Sequence, residues 1–112
     1  MSTRANLITT ELIVRISRIE VDSSQLAAYL ALATKCGRES MAKEPGVYLM
    51  FSMQEKLHPE RITILEIYAD RAAYEQHIKT PHFLEYKQKT LKMVKKLELL
   101  DQNPLVPEMK MK

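Results

Sequence analysis

The apolar positions of this chain change their period several times, and each change marks an element. Residues 11–21, ELIVRISRIEV, alternate with a period of two and predict a strand. Ile13, Ser17, Ile19 and Val21 fall on one face together with Arg15, while Leu12, Val14 and Ile16 fall on the other. Both faces carry apolar residues, so helices are expected over one side of the sheet and a different cover over the second. Asp22, Ser23 and Ser24 then offer capping oxygens to a helix running to about Lys43. Leu26, Tyr29, Leu30, Ala33, Cys36, Gly37 and Met41 keep the i, i+3, i+4 rhythm on its buried face. Ala33 and Gly37 are small, which predicts a close approach of that helix to the sheet. KEPG ends it: Pro45 biases Glu44 away from helical backbone and Gly46 permits a turn.

VYLMFSM (47–53) and RITILEIYA (61–69) read as a second and third strand, joined into a hairpin across the polar QEKLHPE. Asp70 caps a short helix, RAAYEQHIK. Thr80 and Pro81 restart it as N-cap and first helical residue, and the second piece runs to about Met93. VKKLELLD (94–101) reads as a last strand, with a continuing helix as the other reading, and NPLVPEMKMK is an aperiodic tail. The order is βαββαβ with a broken second helix: an α+β, ferredoxin-like antiparallel sheet with helices on one face. Residues 1–10 form an extension, 11–101 the domain and 102–112 the tail. The second, uncovered apolar face predicts self-association into a homodimer of barrel-like form.

Composition narrows the function classes. A chain of 112 residues makes one domain with one core. A formal charge of +3, with lysines gathered between Lys87 and Lys112, gives no basis for nucleic-acid binding. No run approaches the ~18 apolar residues of a membrane span. The MSTRANLITTEL start has no signal-peptide core and Cys36 is the single cysteine, so a reducing cytoplasmic setting is expected. One cysteine and three histidines match no recognised zinc spacing. Two glycines, one inside a helix and one after a proline, leave no phosphate-cradling loop.

EPGVYLMFSM at the second strand, ILEIYADRAAYEQHIKTPHF from the third strand through the helix break, and the βαββαβ order together resemble the antibiotic biosynthesis monooxygenase domain. The resemblance covers roughly residues 11 to 100. Its most specific part is Glu66-x-Tyr68 followed by His77-x-x-Thr80-Pro81-His82-Phe83; position 68 is often Trp in that family, and Tyr68 departs from it. The resemblance implies a small dimeric α+β barrel, with a pocket in each subunit between sheet and helices. Its enzymes oxidise quinol-like or polyketide aromatics with molecular oxygen and without metal or flavin. Other members degrade haem, isomerise a phosphorylated sugar, or serve with no established substrate. The haem-degrading branch relies on an Asn on the first strand, a Trp on the third and a His on the second helix. This chain has His77, but no Trp and no Asn between Glu11 and Val21.

Within that frame the candidate residues each have two readings. His77 shares a helix face with Ala73 and Tyr74 and points at the sheet. It is either a general base near neutrality or a structural histidine bonded to Glu66 or to a carbonyl. His82, in the first turn of the restarted helix, either contributes to the pocket or packs without chemistry, and the positive helix end disfavours its protonated form. The Thr80-Pro81 break divides the two histidines, which argues against a shared metal. Glu66 and Tyr68 share a strand face with Ile62 and Ile64. A carboxylate there needs a partner or it protonates, and it is expected either to serve as a base or an orienter of His77, or to pin the third strand to the helix break. Arg15 either binds a substrate oxygen or pairs with Glu66 or an edge carboxylate. Phe51, Phe83, Met53, Tyr48, Leu30 and Met41 line an aromatic-accepting pocket or form plain core. His58 is expected to be exposed and inert, and Cys36 to be a small core residue. The catalytic candidates are therefore His77 and Glu66; Tyr68, Arg15, Phe51, His82 and Phe83 are the substrate-binding ones. No cofactor and no metal are expected, and the partners are a small-molecule substrate and a second copy of the chain. Isomerase or lyase chemistry on a small carbonyl or phosphorylated metabolite, or a non-catalytic dimeric module, are the competing functions.

Overall fold

A computed structural model describes residues 11–106 and 108; the extension expected over residues 1–10 and the end of the tail lie outside the described residues. The elements are β1 (Ile13–Val21), α1 (Leu26–Lys43), β2 (Val47–Gln54), β3 (Arg61–Tyr68), α2 (Arg71–His77), α3 (Pro81–Thr90) and β4 (Val94–Gln102). The strands form one antiparallel sheet in the order β2-β3-β1-β4, the ferredoxin-like arrangement expected from the hydrophobic pattern. β4 is a strand, which settles the alternative of a continuing helix. No helix among the described residues is long and apolar enough to cross a membrane.

Capping chemistry sets most of the boundaries. Asp22 accepts the Ser24 N–H at 3.0 Å and opens a 3-10 turn, Ser23–Gln25, that feeds α1. Asp70 accepts the Ala73 N–H at 2.8 Å at the start of α2. At the helix break Thr80 Oγ1 donates to the His77 carbonyl at 2.7 Å and accepts from the Phe83 N–H at 3.2 Å. One hydroxyl thus closes α2 and opens α3. α3 stops at Thr90, earlier than Met93. The buried Thr90 hydroxyl donates to the Tyr86 carbonyl at 2.7 Å, and the chain then turns back so that the Asp22 N–H reaches the Met93 carbonyl at 2.8 Å.

The core lies between the helices and one face of the sheet. Ile19, Val21, Ile62 and Ile64 project from β1 and β3 onto Tyr29 of α1, with Leu26, Leu30, Ala33, Met50, Tyr86, Met93 and Val94 around them. Two expectations about α1 change. Met41 is 45% exposed, and Ser40 takes the buried position in that turn, its hydroxyl donating to the Cys36 carbonyl at 2.7 Å. Gly37 is not there for close packing, because a methyl added to it would meet only Met50 Cγ at 3.9 Å. The tight glycine is Gly46, whose backbone has negative φ and whose added Cβ would stand 2.6 Å from the Ala73 Cβ. Its small size lets α2 pack down on the turn before β2.

β2 holds the largest departure from the sequence reading. Val47 pairs with Tyr68 and Leu49 with Ile67, so Tyr48 is an extra residue in a bulge that shifts the phase of the strand. Met50 and Ser52 consequently face the helices. Phe51, 53% exposed, and Met53 lie on the opposite, uncovered face with Leu49. Gly46→Ala is expected to destabilise the fold by about 1–3 kcal/mol through overpacking against Ala73. Urea denaturation measures this, and Ala73→Gly in the same chain should restore part of the loss; an unchanged midpoint for the single variant would refute the contact.

Candidate functional site

β3 is apolar at one end and polar at the other on the same face: Ile62 and Ile64 enter the core, and Glu66 and Tyr68 continue the row beyond it. β1 runs beside it in register, pairing Arg15 with Glu66 and Ser17 with Ile64. A carboxylate buried in such a row must find donors. Ser17 Oγ donates to Glu66 Oε2 at 2.5 Å and Tyr68 Oη donates to Oε1 at 2.6 Å, so both oxygens are engaged. His77 does not bond to Glu66, and the expected orienting contact is replaced by another described below. Arg15 donates to Asp101 of β4 at 2.9 Å and to Tyr74 Oη at 2.9 Å, with its guanidinium 4.8 Å from the Tyr74 ring centre. The edge-carboxylate reading of Arg15 is the observed one. Burial acts to lower its pKa, but the hydrogen bonds to Tyr74 and Asp101 outweigh it and leave the pKa raised.

These side chains border a cavity of about 350 Å³ between the sheet and the helices. Arg15, Ser17, Glu66 and Tyr68 form the polar part of its wall. Tyr74, His77, Phe83 and Tyr86 form an aromatic part, with Met50, Ile64, Leu97 and Leu99 completing it and Lys87 contributing a cation. The His77 ring centre stands 5.3 Å from that of Tyr68 and 5.0 Å from that of Phe83. Ala33 and Gly37 also line the cavity; their small side chains leave it room. His77, Glu66, Tyr68, Arg15 and Phe83 are thus brought together. Phe51 is not, for the bulge at Tyr48 turns it to the other face. His82 does not line the cavity, and lies behind His77 with ring centres 6.3 Å apart.

The two histidines are joined by a residue that the sequence reading treated only as a helix stop. Glu44 ends α1 in extended backbone (φ −114°, ψ 101°), as Pro45 requires. Its Oε2 lies 2.9 Å from His77 Nδ1 and 2.6 Å from His82 Nε2. The Thr80 corner divides these histidines along the chain but folds their rings onto one carboxylate. Spacing alone could not find Glu44, which is 33 and 38 residues away from its partners; an acid immediately before Pro-Gly was the available signal. The three ligand atoms lie within 4.8 Å of one another, close enough to consider a metal. Donors around 2.0–2.1 Å from a tetrahedral ion would stand about 3.3 Å apart. The observed 2.6 and 2.9 Å are hydrogen-bond distances, and holding an ion would require the carboxylate and rings to part.

Burial pushes the Tyr68 hydroxyl far above its usual range, helped by the neighbouring Glu66, and Tyr29 is raised by burial and by its 2.7 Å contact with Tyr86. Tyr86 is raised as well, again by burial. Cys36 is pushed up by burial to about 11, which leaves it a thiol rather than a nucleophile.

The fold and this cavity define a ferredoxin-like α+β domain with an aromatic-walled site beneath its helices. The chain belongs to the antibiotic biosynthesis monooxygenase family, whose model matches residues 12–89. It is similar to a Bacteroides thetaiotaomicron protein provisionally assigned as an antibiotic biosynthesis monooxygenase, at 50% identity and a TM-score of 0.89, over 91% of this chain and 97% of that one. A provisional monooxygenase from Lactobacillus acidophilus is 32% identical with a TM-score of 0.80, over 82% of this chain and 44% of its own. A Caulobacter crescentus structure at 17% identity and a TM-score of 0.80, covering 92% of this chain and 98% of its own, shares the fold. No curated protein matches the chain.

The raised tyrosines make a pH prediction. A phenol whose folded pKa is raised stabilises the fold fully below its unfolded value of 10.0, and that contribution is lost as pH climbs above it. In an alkaline titration followed by phenolate absorbance, Tyr29, Tyr68 and Tyr86 should ionise only as far-UV circular dichroism is lost. Smooth ionisation of all five tyrosines near pH 10 with the fold intact would contradict this.

Proposed function

We propose that this protein is a cofactor-independent monooxygenase that oxidises a small quinol or aromatic polyketide-like substrate with molecular oxygen. The observation that carries the reading is His77, 3% exposed, set into the aromatic wall of the cavity against the Tyr68 ring. A cavity of about 350 Å³ suits a ligand of one or two aromatic rings. Tyr74, Phe83, Tyr86 and Met50 supply apolar faces for such a ring, and the Arg15 guanidinium, held at the wall by Asp101 and Tyr74, also offers its charge to a phenolate oxygen. His77 takes the phenolic proton, and the resulting phenolate is electron-rich enough to reduce oxygen directly. The substrate provides all four electrons: one oxygen atom enters its ring and the other leaves as water. The protein's part is to bind, deprotonate and exclude water.

The second part of the reading is a homodimer formed through the uncovered sheet face. Leu49, Phe51 and Met53 of β2 lie there with Val14, Ile16, Leu65, Ile67 and Leu100, a contiguous apolar surface that a second copy would bury. The cavity lies on the opposite face of the sheet, so each subunit keeps its own site.

Oxygen consumption with a panel of quinols tests the activity. The wild type should exceed autoxidation for at least one of them, and His77→Ala should lower that rate by about 10²–10⁴-fold. Uptake no faster than autoxidation across the panel, or turnover that persists without oxygen, would defeat the proposal; the latter would favour isomerase or lyase chemistry. For the dimer, Phe51→Glu is expected to give a folded monomer in sedimentation, since the side chain is exposed in the single subunit. A variant that still sediments as a dimer would place the interface elsewhere.

A further inference from the structure

We propose that Glu44 is the positioning residue of the site: it holds the proton of His77 on Nδ1 and thereby leaves Nε2 bare toward the cavity. The inference rests on the reading of His77 as the base and extends it to a residue outside the cavity wall. A carboxylate oxygen accepts hydrogen bonds and a neutral imidazole has one N–H to give. Oε2 of Glu44 meets Nδ1 of His77 and Nε2 of His82, so the two rings must carry their protons on opposite nitrogens. The side chains of His77, His82 and Glu44 are 4%, 7% and 11% exposed, which leaves water little opportunity to compete for these contacts.

The consequence falls on the far side of the His77 ring. Its Nε2 has no hydrogen-bond partner among the described residues, and the ring lines the cavity. A free histidine side chain has a mild preference for the Nε2–H form, which would present a donor to the substrate instead of a lone pair. Glu44 reverses that preference. When Nε2 takes a phenolic proton, the substrate O–H bond breaks and an N–H bond forms. The imidazolium so made already faces a carboxylate through Nδ1–H, in the manner of the acid behind the histidine of a hydrolase triad. His82 completes the arrangement by donating to the same oxygen, which fixes the carboxylate at the corner between α2 and α3. Backbone geometry supports this placement, since Pro45 keeps Glu44 extended and Thr80 holds the corner.

The test reads the tautomer directly and separately from turnover. Long-range proton–nitrogen correlation spectra of the labelled wild type should show His77 protonated on Nδ1 with a bare Nε2, and His82 the reverse. A proton on Nε2 of His77 would overturn the proposal whatever the activity. Glu44→Ala should release His77 to the Nε2–H form and lower kcat on the order of 10²-fold with little change in KM, and Glu44→Gln, which loses the charge and can turn an NH2 donor toward Nδ1, should shift the tautomer the same way and lower the rate at least as far. If Glu44→Ala does not fold, the wild-type spectrum and the Glu44→Gln variant decide. Stoichiometric zinc binding that displaces both ring protons would also overturn the proposal. Loss of the base reading is distinguishable: full turnover in His77→Ala removes the function, while the tautomer measurement stands independently.

Discussion

One carboxylate oxygen, Oε2 of Glu44, ties the end of α1 to both sides of the break between α2 and α3. A buried carboxylate costs several kcal/mol unless donors replace its water. Here the donors come from residues 33 and 38 positions further along the chain, so the contact forms only when the helices are docked. Three local devices make the meeting geometrically available. Pro45 turns Glu44 out of helical backbone, Gly46 lets α2 pack within reach, and the Thr80 hydroxyl sets the angle at which α3 departs. Each is a small steric or hydrogen-bonding effect. Together they determine which way the His77 ring faces.

The second buried carboxylate, Glu66, solves the same problem differently. Its donors are local to the sheet: Ser17 on the neighbouring strand and Tyr68 two residues along its own. The row Ile62, Ile64, Glu66, Tyr68 passes from core to site without a change of backbone, so the rigidity of the sheet extends into the cavity wall. This makes Glu66 a poor candidate for an agent that moves protons and a good one for a fixed wall. The two acids divide the work by position: Glu66 braces the sheet side, and Glu44 braces the helix side.

Much of this was legible in the residues. Period-two and period-3.6 runs announced the βαββαβ order, and Thr80-Pro81 announced the broken helix, because both signals are local. Glu66 and Tyr68 stand out by the strand face they share, His77 by its helix face and all three by the family motif, Phe83 by that motif and Arg15 as a charge within a strand, and all five line one cavity. The failures have non-local causes. The bulge at Tyr48 reverses the phase of β2, and no feature of VYLMFSM distinguishes a bulged strand from a regular one. Had the alternation run on from the buried Val47, Phe51 and Met53 would face the helices; the extra residue sends Met50 and Ser52 there instead. Glu44 escaped because its carboxylate finds its partners only through tertiary docking. The same docking brings together two histidines that the helix break separates along the chain.

The chemistry of the cavity wall narrows the choice of base. The phenols of Tyr68 and Tyr86 are held neutral by burial, and both are hydrogen-bonded, so neither accepts a proton from substrate. The Cys36 thiol is raised to about 11 and stays protonated near neutrality. Glu66 has both oxygens occupied by donors, and Arg15 and Lys87 are cations. His77 brings to that wall a ring whose Nδ1 is anchored from outside by Glu44. Such a wall suits the proposed reaction, which passes a single proton and keeps oxygen chemistry away from water. The apolar face on the reverse of the sheet is separate from this wall, and the bulge that turns Phe51 away from the site is what places its side chain on that face.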